Sequence, residues 1–446
     1  MATDSTSTLS TLRSPGFKVL LIVLLTVAMA VPLFFIQLAL SDREKTAAGA
    51  ATDIAAGWGG PQVVAGPVLL VPYTVNREQL VNGAPMALDQ NFTAMLLPEN
   101  LNVEVRAASG ALWRGIFEVP VYKAGVRVHA SFDKAAMAKM VPPDAKVRWD
   151  AVRIAIRVSD AHGLADNVVL NLNGRAVPFE SGVDIDETRV SGIQAAAGLD
   201  GPADLKLDTG FTLRGSREFS VSPLGRRTTA TLESDWHSPS FFGAFLPTDR
   251  DVGKDGFKAS WTVPYLARGF GQSFENAAGQ MALLEQPALG TRFYQPVDYY
   301  QLVERSLKYA ILFVALAFLV FFVVETVSLQ RLHAVQYALV GSAQVLFYLL
   351  LLSLSEHIGF ALSYLVASAA TVVLTALYAS SVLASRARAA ALFAVLSALY
   401  GLFYIILNAE DFALLIGSGL LFSALAATMF VTRKINWYTF ASAPVG

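Results

Sequence analysis

Residues 309–327 read YAILFVALAFLVFFVVETV, nineteen positions with one charge, Glu325. At about 1.5 Å of rise per residue such a run crosses most of the ~30 Å hydrocarbon layer, so it reads as a membrane-spanning helix. Four similar runs follow closely: Val335–Leu354, Ile358–Leu383, Ala389–Leu407 and Phe412–Thr432. A sixth, Val19–Leu40, lies far upstream. Six helical spans, with residues 41–306 inserted between the first and second, give the fold class. It is a multi-pass α-helical membrane protein with a large domain outside the bilayer.

The composition agrees. Of 446 residues, 54% are hydrophobic and 15% charged, with mean hydropathy +0.48, whereas soluble domains carry about 25% charged residues. An ordinary cytosolic enzyme and a disordered chain are both excluded. The net charge is −1, from 34 Lys and Arg against 35 Asp and Glu, so no nucleic-acid partner is indicated. Cysteine is absent, which excludes disulfides, thiol catalysis, iron–sulfur clusters and thiolate zinc sites and suits an oxidising compartment.

Val19–Leu40 is longer than the apolar core of a signal peptide, so an uncleaved anchor is expected, kinked at Pro32. Lys and Arg in short loops set the orientation. Arg13, Lys18, Arg331, Arg386, Arg388, Arg433 and Lys434 fall at one set of ends. The other set carries Glu356-His357 and Glu410-Asp411. Residues 1–18 and 433–446 are therefore cytoplasmic, 19–40 is the first span, 307–432 a five-helix bundle, and 41–306 lies outside the cytoplasm.

That outer segment holds 26 Lys and Arg against 30 Asp and Glu, a mildly acidic surface. Asp42–Ala56 is polar and Ala-rich and extends the first helix. Gly57-Trp58-Gly59-Gly60-Pro61-Gln62 is a turn cluster. Beyond it, Val63–Tyr73 is apolar, β-branched and cut by prolines, which favours strand. Alternation predicts one strand over Val147, Trp149, Val152, Ile154, Ile156 and Val158, and others over Thr228–Glu233 and Phe257–Val263. Phe132–Met140 predicts a short helix. The segment reads as mainly antiparallel β, in one sandwich or two. Leu97-Pro98 before Gly115–Tyr122, and Leu246-Pro247 before Gly256–Tyr265, form a faint internal echo that fits two related lobes or chance. Tyr294, Tyr299, Tyr300 and Tyr309 suit an interfacial aromatic belt where the second span enters the bilayer.

The motifs of catalysis are missing. No HExxH, Walker A loop, GxGxxG after a strand or GxSxG elbow occurs. Gly417-Ser418-Gly419 in the last span reads as close helix packing. The histidines at 129, 162, 237, 333 and 357 show no ligand spacing. Catalytic residues, cofactor and metal are therefore all expected to be none. A cleft joining Asp235, His237 and a further carboxylate would revive an enzyme acting on peptidoglycan or lipid.

The candidates are rim and intramembrane charges, which in lipid are functional hypotheses by default. Glu325 either snorkels or pairs with Arg331, or is a proton site. Glu356 and His357 either close a tight hairpin with help from Ser353 and Ser355, or act in function. Glu410 and Asp411 form an acidic cap at a helix N-terminus or a cation entry.

An ordered series of strings carries a resemblance. They are Gly59-Gly60-Pro61-Gln62, Gly66-Pro67, Val71-Pro72-Tyr73, Ser159-Asp160 with Gly163-Leu164, Arg214-Gly215-Ser216-Arg217-Glu218 and Pro223-Leu224-Gly225. Further on come Ser234-Asp235-Trp236, Pro239-Ser240-Phe241, Gly243–Pro247, Trp261, Val263-Pro264, Leu266-Ala267-Arg268-Gly269 and Gln295–Asp298. In the spans they are His333–Gly341, Phe347–Ser353 and Ser355–Phe360. From about residue 15 to 435 the chain resembles the CreD family of inner-membrane, cell-envelope integrity proteins. It departs at Ala334, where many relatives are expected to have proline. The resemblance implies a Gram-negative inner membrane, residues 41–306 in the periplasm, and a link to envelope stress and β-lactam response. It brings no enzyme activity, cofactor or catalytic residue. The expected partners are the lipid bilayer and an unidentified periplasmic or inner-membrane protein. Envelope binding or sensing by the tethered module leads; a transporter or channel built from the C-terminal bundle is the alternative.

Overall fold

The structure, a computed structural model, describes residues 15–81, 84–165, 168–186, 188–280, 288–293, 299–328, 332–382, 385–409 and 412–433. It divides into two compact units, Ala47–Pro296 and the remainder, Met1–Thr46 with Val297–Gly446.

Helix α1 runs unbroken from Pro15 to Trp58 and contains Pro32. The expected extension past Leu40 is there, in a stretch of good helix formers. Pro32 removes one N–H, yet the helix continues through it.

In the Ala47–Pro296 unit the strands are β1 (Gln62–Val81), β2 (Ala84–Leu96), β3 (Asn100–Arg114), β4 (Phe117–Phe132), β5 (Lys146–Val147), β6 (Arg153–Val158), β7 (Val169–Leu172), β8 (Arg175–Pro178) and β9 (Glu180–Ile185). They continue as β10 (Thr188–Ala196), β11 (Leu205–Ser216), β12 (Glu218–Val221), β13 (Arg227–Ser234), β14 (Pro239–Gly243), β15 (Asp249–Gly253), β16 (Gly256–Pro264), β17 (Ser273–Phe274) and β18 (Leu289–Phe293). One sheet orders β14-β18-β12-β1-β6-β10-β9, with β2 and β5 attached to β1 and β17 to β2. The other orders β15-β16-β13-β3-β4-β11-β7-β8. Pairing is antiparallel except that β1 runs parallel to β12 and β13 parallel to β3.

Both sheets feed one buried core. Val64, Leu69, Leu70, Ile154, Ile156 and Phe219 come from the first, and Leu101, Val103, Val126, Leu213 and Trp261 from the second. In β11 buried and exposed residues alternate, as a half-buried strand requires. The helix expected over Phe132–Met140 is α2 (Lys134–Lys139), capped by Asp133 accepting from the Ala135 N–H.

Two expectations change. The single strand over 147–158 is broken by a 3₁₀ turn at Trp149–Ala151. Asp150 favours a turn there, the Arg148 N–H bonds Pro72 O (2.9 Å), and beyond the turn the chain resumes along β1 in the same direction. The internal echo marks the hairpins β3–β4 and β15–β16, which lie in the same eight-stranded sheet, and the core they enter is shared rather than split between lobes.

The other unit contains α3 (Tyr299–Lys308), α4 (Ala310–Ser328), α5 (Ala334–Ile358), α6 (Phe360–Val382), α7 (Arg386–Asn408) and α8 (Ala413–Thr432). Among the described residues five helices are long and apolar enough to cross a membrane, or six if α3 and α4 count as one span. Those two meet at 53°, a break that the sequence did not disclose. Ala334 opens α5 at the position where proline is favoured. Here a capping box supplies the start instead: His333 accepts from the Val335 N–H, and Gln336 accepts from the His333 N–H.

Trp261 is 2% exposed and its Nε1 donates to Phe245 O (3.1 Å). Trp261→Ala is expected to cost the β unit about 3–5 kcal/mol, read as a lower urea midpoint for proteolysis of that unit in the full-length protein.

Candidate functional site

Three groups of contacts collect the chemistry-bearing residues. The first surrounds Glu325, near the end of α4. It is 6% exposed. Its Oε1 accepts from Lys18 Nζ on α1 and from the Leu332 N–H (2.9 Å), and its Oε2 from the Tyr337 hydroxyl (2.8 Å). The ion pair seen is with Lys18, a partner the sequence reading did not name; Arg331, the expected partner, lies outside the described residues. A carboxylate met by a cation, an amide and a phenol is a clamp between α1, α4 and α5.

The second group lies at the other end of α5. Glu356, with its side chain 5% exposed, is 3.7 Å from Arg43 Nε on α1. It accepts from the Tyr300 hydroxyl on α3 at 3.0 Å. The expected help from serines takes another form. The Ser355 hydroxyl bonds Leu351 O, and His357, exposed, sits 3.1 Å from the carbonyl of Ser353. Helical serine closes on its own preceding turn more readily than on a neighbour's side chain. Nearby, Arg305 Nη1 donates to Leu407 O (2.9 Å) in the last turn of α7, a favourable place for a cation. Glu410 and Asp411 lie outside the described residues. Lys18 and Arg43 are 25 positions apart, about 37 Å along a helix, so each end of the membrane segment of α1 is held by a glutamate.

The third group is in the β unit, where α1 ends. Gln62, 1% exposed, donates through Nε2 to the carbonyls of Asp160 and Arg214, both at 3.0 Å. Gly60 N–H donates to Asp160 Oδ2 (2.9 Å), and the Ser216 hydroxyl to Gly59 O (3.0 Å). A Cβ at Gly163 would stand 2.3 Å from Arg214 O, and one at Gly59, at φ +131°, 2.6 Å from the same atom. The Trp58 ring lies between Lys123 Nζ (5.6 Å) and Arg214 (5.2 Å). The strings Gly59–Gln62, Ser159–Leu164 and Arg214–Glu218 thus meet at one joint, which accounts for their residue types. Burial pushes the Asp160 carboxyl up, but hydrogen bonds from Gly60 N–H and His162 outweigh it and leave its pKa lowered.

A further buried cation, Arg268, donates to Leu224 O and to Gln272 Oε1 (2.7 Å) between the rings of Tyr265 and Phe270. Sequence reading passed over Gln62 and Arg268 because neither belongs to a catalytic motif. A polar residue inside an otherwise apolar or Gly-rich string was the available signal.

Asp235 does not join His237 in a cleft. It accepts from the Ser109 N–H (2.7 Å) and lines a depression with Arg106, Glu233, Asp251, Asp255 and Lys258, to which His237 does not contribute. His237 stacks on Trp236 instead. Among the described residues no three His, Asp or Glu group as a metal site.

Removing one partner of a buried ion pair strands the other, at about 3–5 kcal/mol. Glu325→Ala and Lys18→Ala should each destabilise the purified protein by that order, and the double variant by less than their sum, measured by thermal unfolding in one detergent. The lowered carboxyl of Asp160 gives stability that is present at neutral pH and lost as pH falls through its folded pKa. Asp160→Asn should therefore lower stability at pH 7 and flatten the acid limb of a stability–pH curve.

The family model described as "Inner membrane protein CreD" matches residues 14–438. A protein of Escherichia coli (strain K12), named Inner membrane protein CreD, is 34% identical over 426 residues, covering 93% of this chain and 91% of that protein. The ordered strings, their convergence on one joint and these matches together establish that the chain belongs to the CreD family of inner-membrane proteins.

Proposed function

We propose that this is a non-enzymatic inner-membrane protein that contributes to cell-envelope integrity and to the response to envelope stress or β-lactams. Its β-rich periplasmic module binds or senses a periplasmic or inner-membrane partner. The observation that carries this reading is α1, one unbroken helix whose end is fixed by the Gln62 joint and whose membrane segment is fixed by two glutamates. A stiff helix passes displacement along its axis where a flexible linker would absorb it. Tethering at both ends also keeps the module at high effective concentration toward membrane partners.

The bend between α3 and α4 favours a second reading, transport by the C-terminal bundle, since interrupted spans occur where a bundle lines a site.

Complementation separates the two. In a strain lacking the protein, Gly163→Val, which places side-chain atoms against Arg214 O, is expected to express and insert but fail to restore envelope tightness and β-lactam tolerance. Glu356→Gln, which keeps the Tyr300 hydrogen bond, is expected to restore both in large part. The reverse pattern would move the function into the bundle.

A further inference from the structure

The bundle interior carries a file of polar side chains, of which Tyr337 alone also belongs to a clamp. On α5, Tyr337, Gln344 and Tyr348 are buried, followed by Ser355. On α6, Tyr364, Ser368, Thr371 and Thr375 are buried, and α7 adds Tyr400. Spacings of 7, 4 and 7 on α5, and 4, 3 and 4 on α6, keep each set on one helical face.

The two helices run in opposite directions across a one-residue turn at Gly359, so their depths can be compared from Ala334 and Val382. At 1.5 Å per residue, Tyr337 lies at about 4 Å, Thr375 at about 10 Å, Gln344 at about 15 Å and Thr371 at about 16 Å. Tyr348 and Ser368 lie at about 21 Å, Tyr364 at about 27 Å and Ser355 at about 32 Å. Successive depths differ by at most about 6 Å along the helix axes, over a length that matches the hydrocarbon core. The ends are the two glutamates: Tyr337 donates to Glu325, and Glu356 follows Ser355. Midway, the Tyr364 hydroxyl donates to Tyr400 O and the Tyr400 hydroxyl to Gln344 Oε1, both at 2.6 Å.

Gln344 Nε2, the Tyr348 hydroxyl and the Thr375 hydroxyl have no hydrogen-bond partner among the described residues, and these residues are no more than 2% exposed. Surrounded by lipid, such groups are costly unless water reaches them.

We propose that the bundle carries a proton path between Glu356 and Glu325, in which water held by this file relays the proton. At each transfer an O–H bond breaks on the donor oxygen and forms on the acceptor. One proton leaves water on one side, one is returned to water on the other, and nothing is oxidised or reduced. Each end is closed by a cation–carboxylate pair, Arg43 with Glu356 and Lys18 with Glu325, so passage is slow and waits on those pairs opening. The path is independent of what the periplasmic module binds.

The test uses full-length protein in proteoliposomes holding a pH-sensitive dye, with an acidic exterior and a negative-inside potassium diffusion potential. The variants are Tyr348→Phe and Thr375→Val, alone and together. Each removes a hydroxyl that bonds nothing among the described residues, so melting temperature should hold or rise. Wild type is expected to acidify the interior faster than protein-free liposomes do. The double variant is expected to fall to the protein-free rate with its melting temperature retained, and sodium flux is expected to be absent in all. Wild-type acidification at the protein-free rate would overturn the proposal, as would wild-type flux in the double variant.

Discussion

In hydrocarbon a backbone must satisfy its own hydrogen bonds, and α1 does so from Pro15 through the bilayer and onward in water to Trp58. The rest of the structure depends on that continuity. Lys18 and Arg43 can serve two glutamates about 37 Å apart only because a helix fixes their separation. Gly59 and Gly60 turn the chain immediately where the helix ends, and Gln62 then fixes the first strand to the loops at Asp160 and Arg214.

Polar groups are buried in different manners in the two units. At the Gln62 joint, amide and carboxylate atoms find partners, and glycines keep the backbone close enough for them to do so. Such a network specifies one arrangement of strands. In the bundle the glutamates are equally well met, whereas the mid-span amide and hydroxyls are not all met.

Much of the architecture was legible because it follows from one-dimensional signals. Hydropathy marks the spans, an Ala-rich stretch marks the extension of α1, and alternation marks β13 and β16. What stayed hidden is long-range. Glu325 and Lys18 are 307 positions apart, and no local pattern at either residue names the other. The parallel pairings of β1 with β12 and β13 with β3 were equally invisible, since period-2 alternation gives a face and not a neighbour. The turn at Trp149–Ala151 escaped because the flanking apolar residues mimic a continuous strand. Gln62 was quoted as part of a string, but its role needed two carbonyls that come into range only on folding.

Those parallel pairings also bear on how the protein is made. Val64 in β1 lies beside Val221 in β12, and β12 is in turn completed by β18 at Leu289–Phe293. The first strand exported must therefore wait for residues near 290 before its sheet can close. At about 5–20 residues per second of synthesis, the 157 positions between Val64 and Val221 take roughly 8–30 s. Until β5 and β6 follow, β1 has only its hairpin partner β2, and the apolar run Val68–Val71 is open to collapse or aggregation outside the cytoplasm. The sheet closes just as the next membrane segment enters the insertion machinery, so maturation of the exported module and anchoring of its second end are nearly simultaneous events.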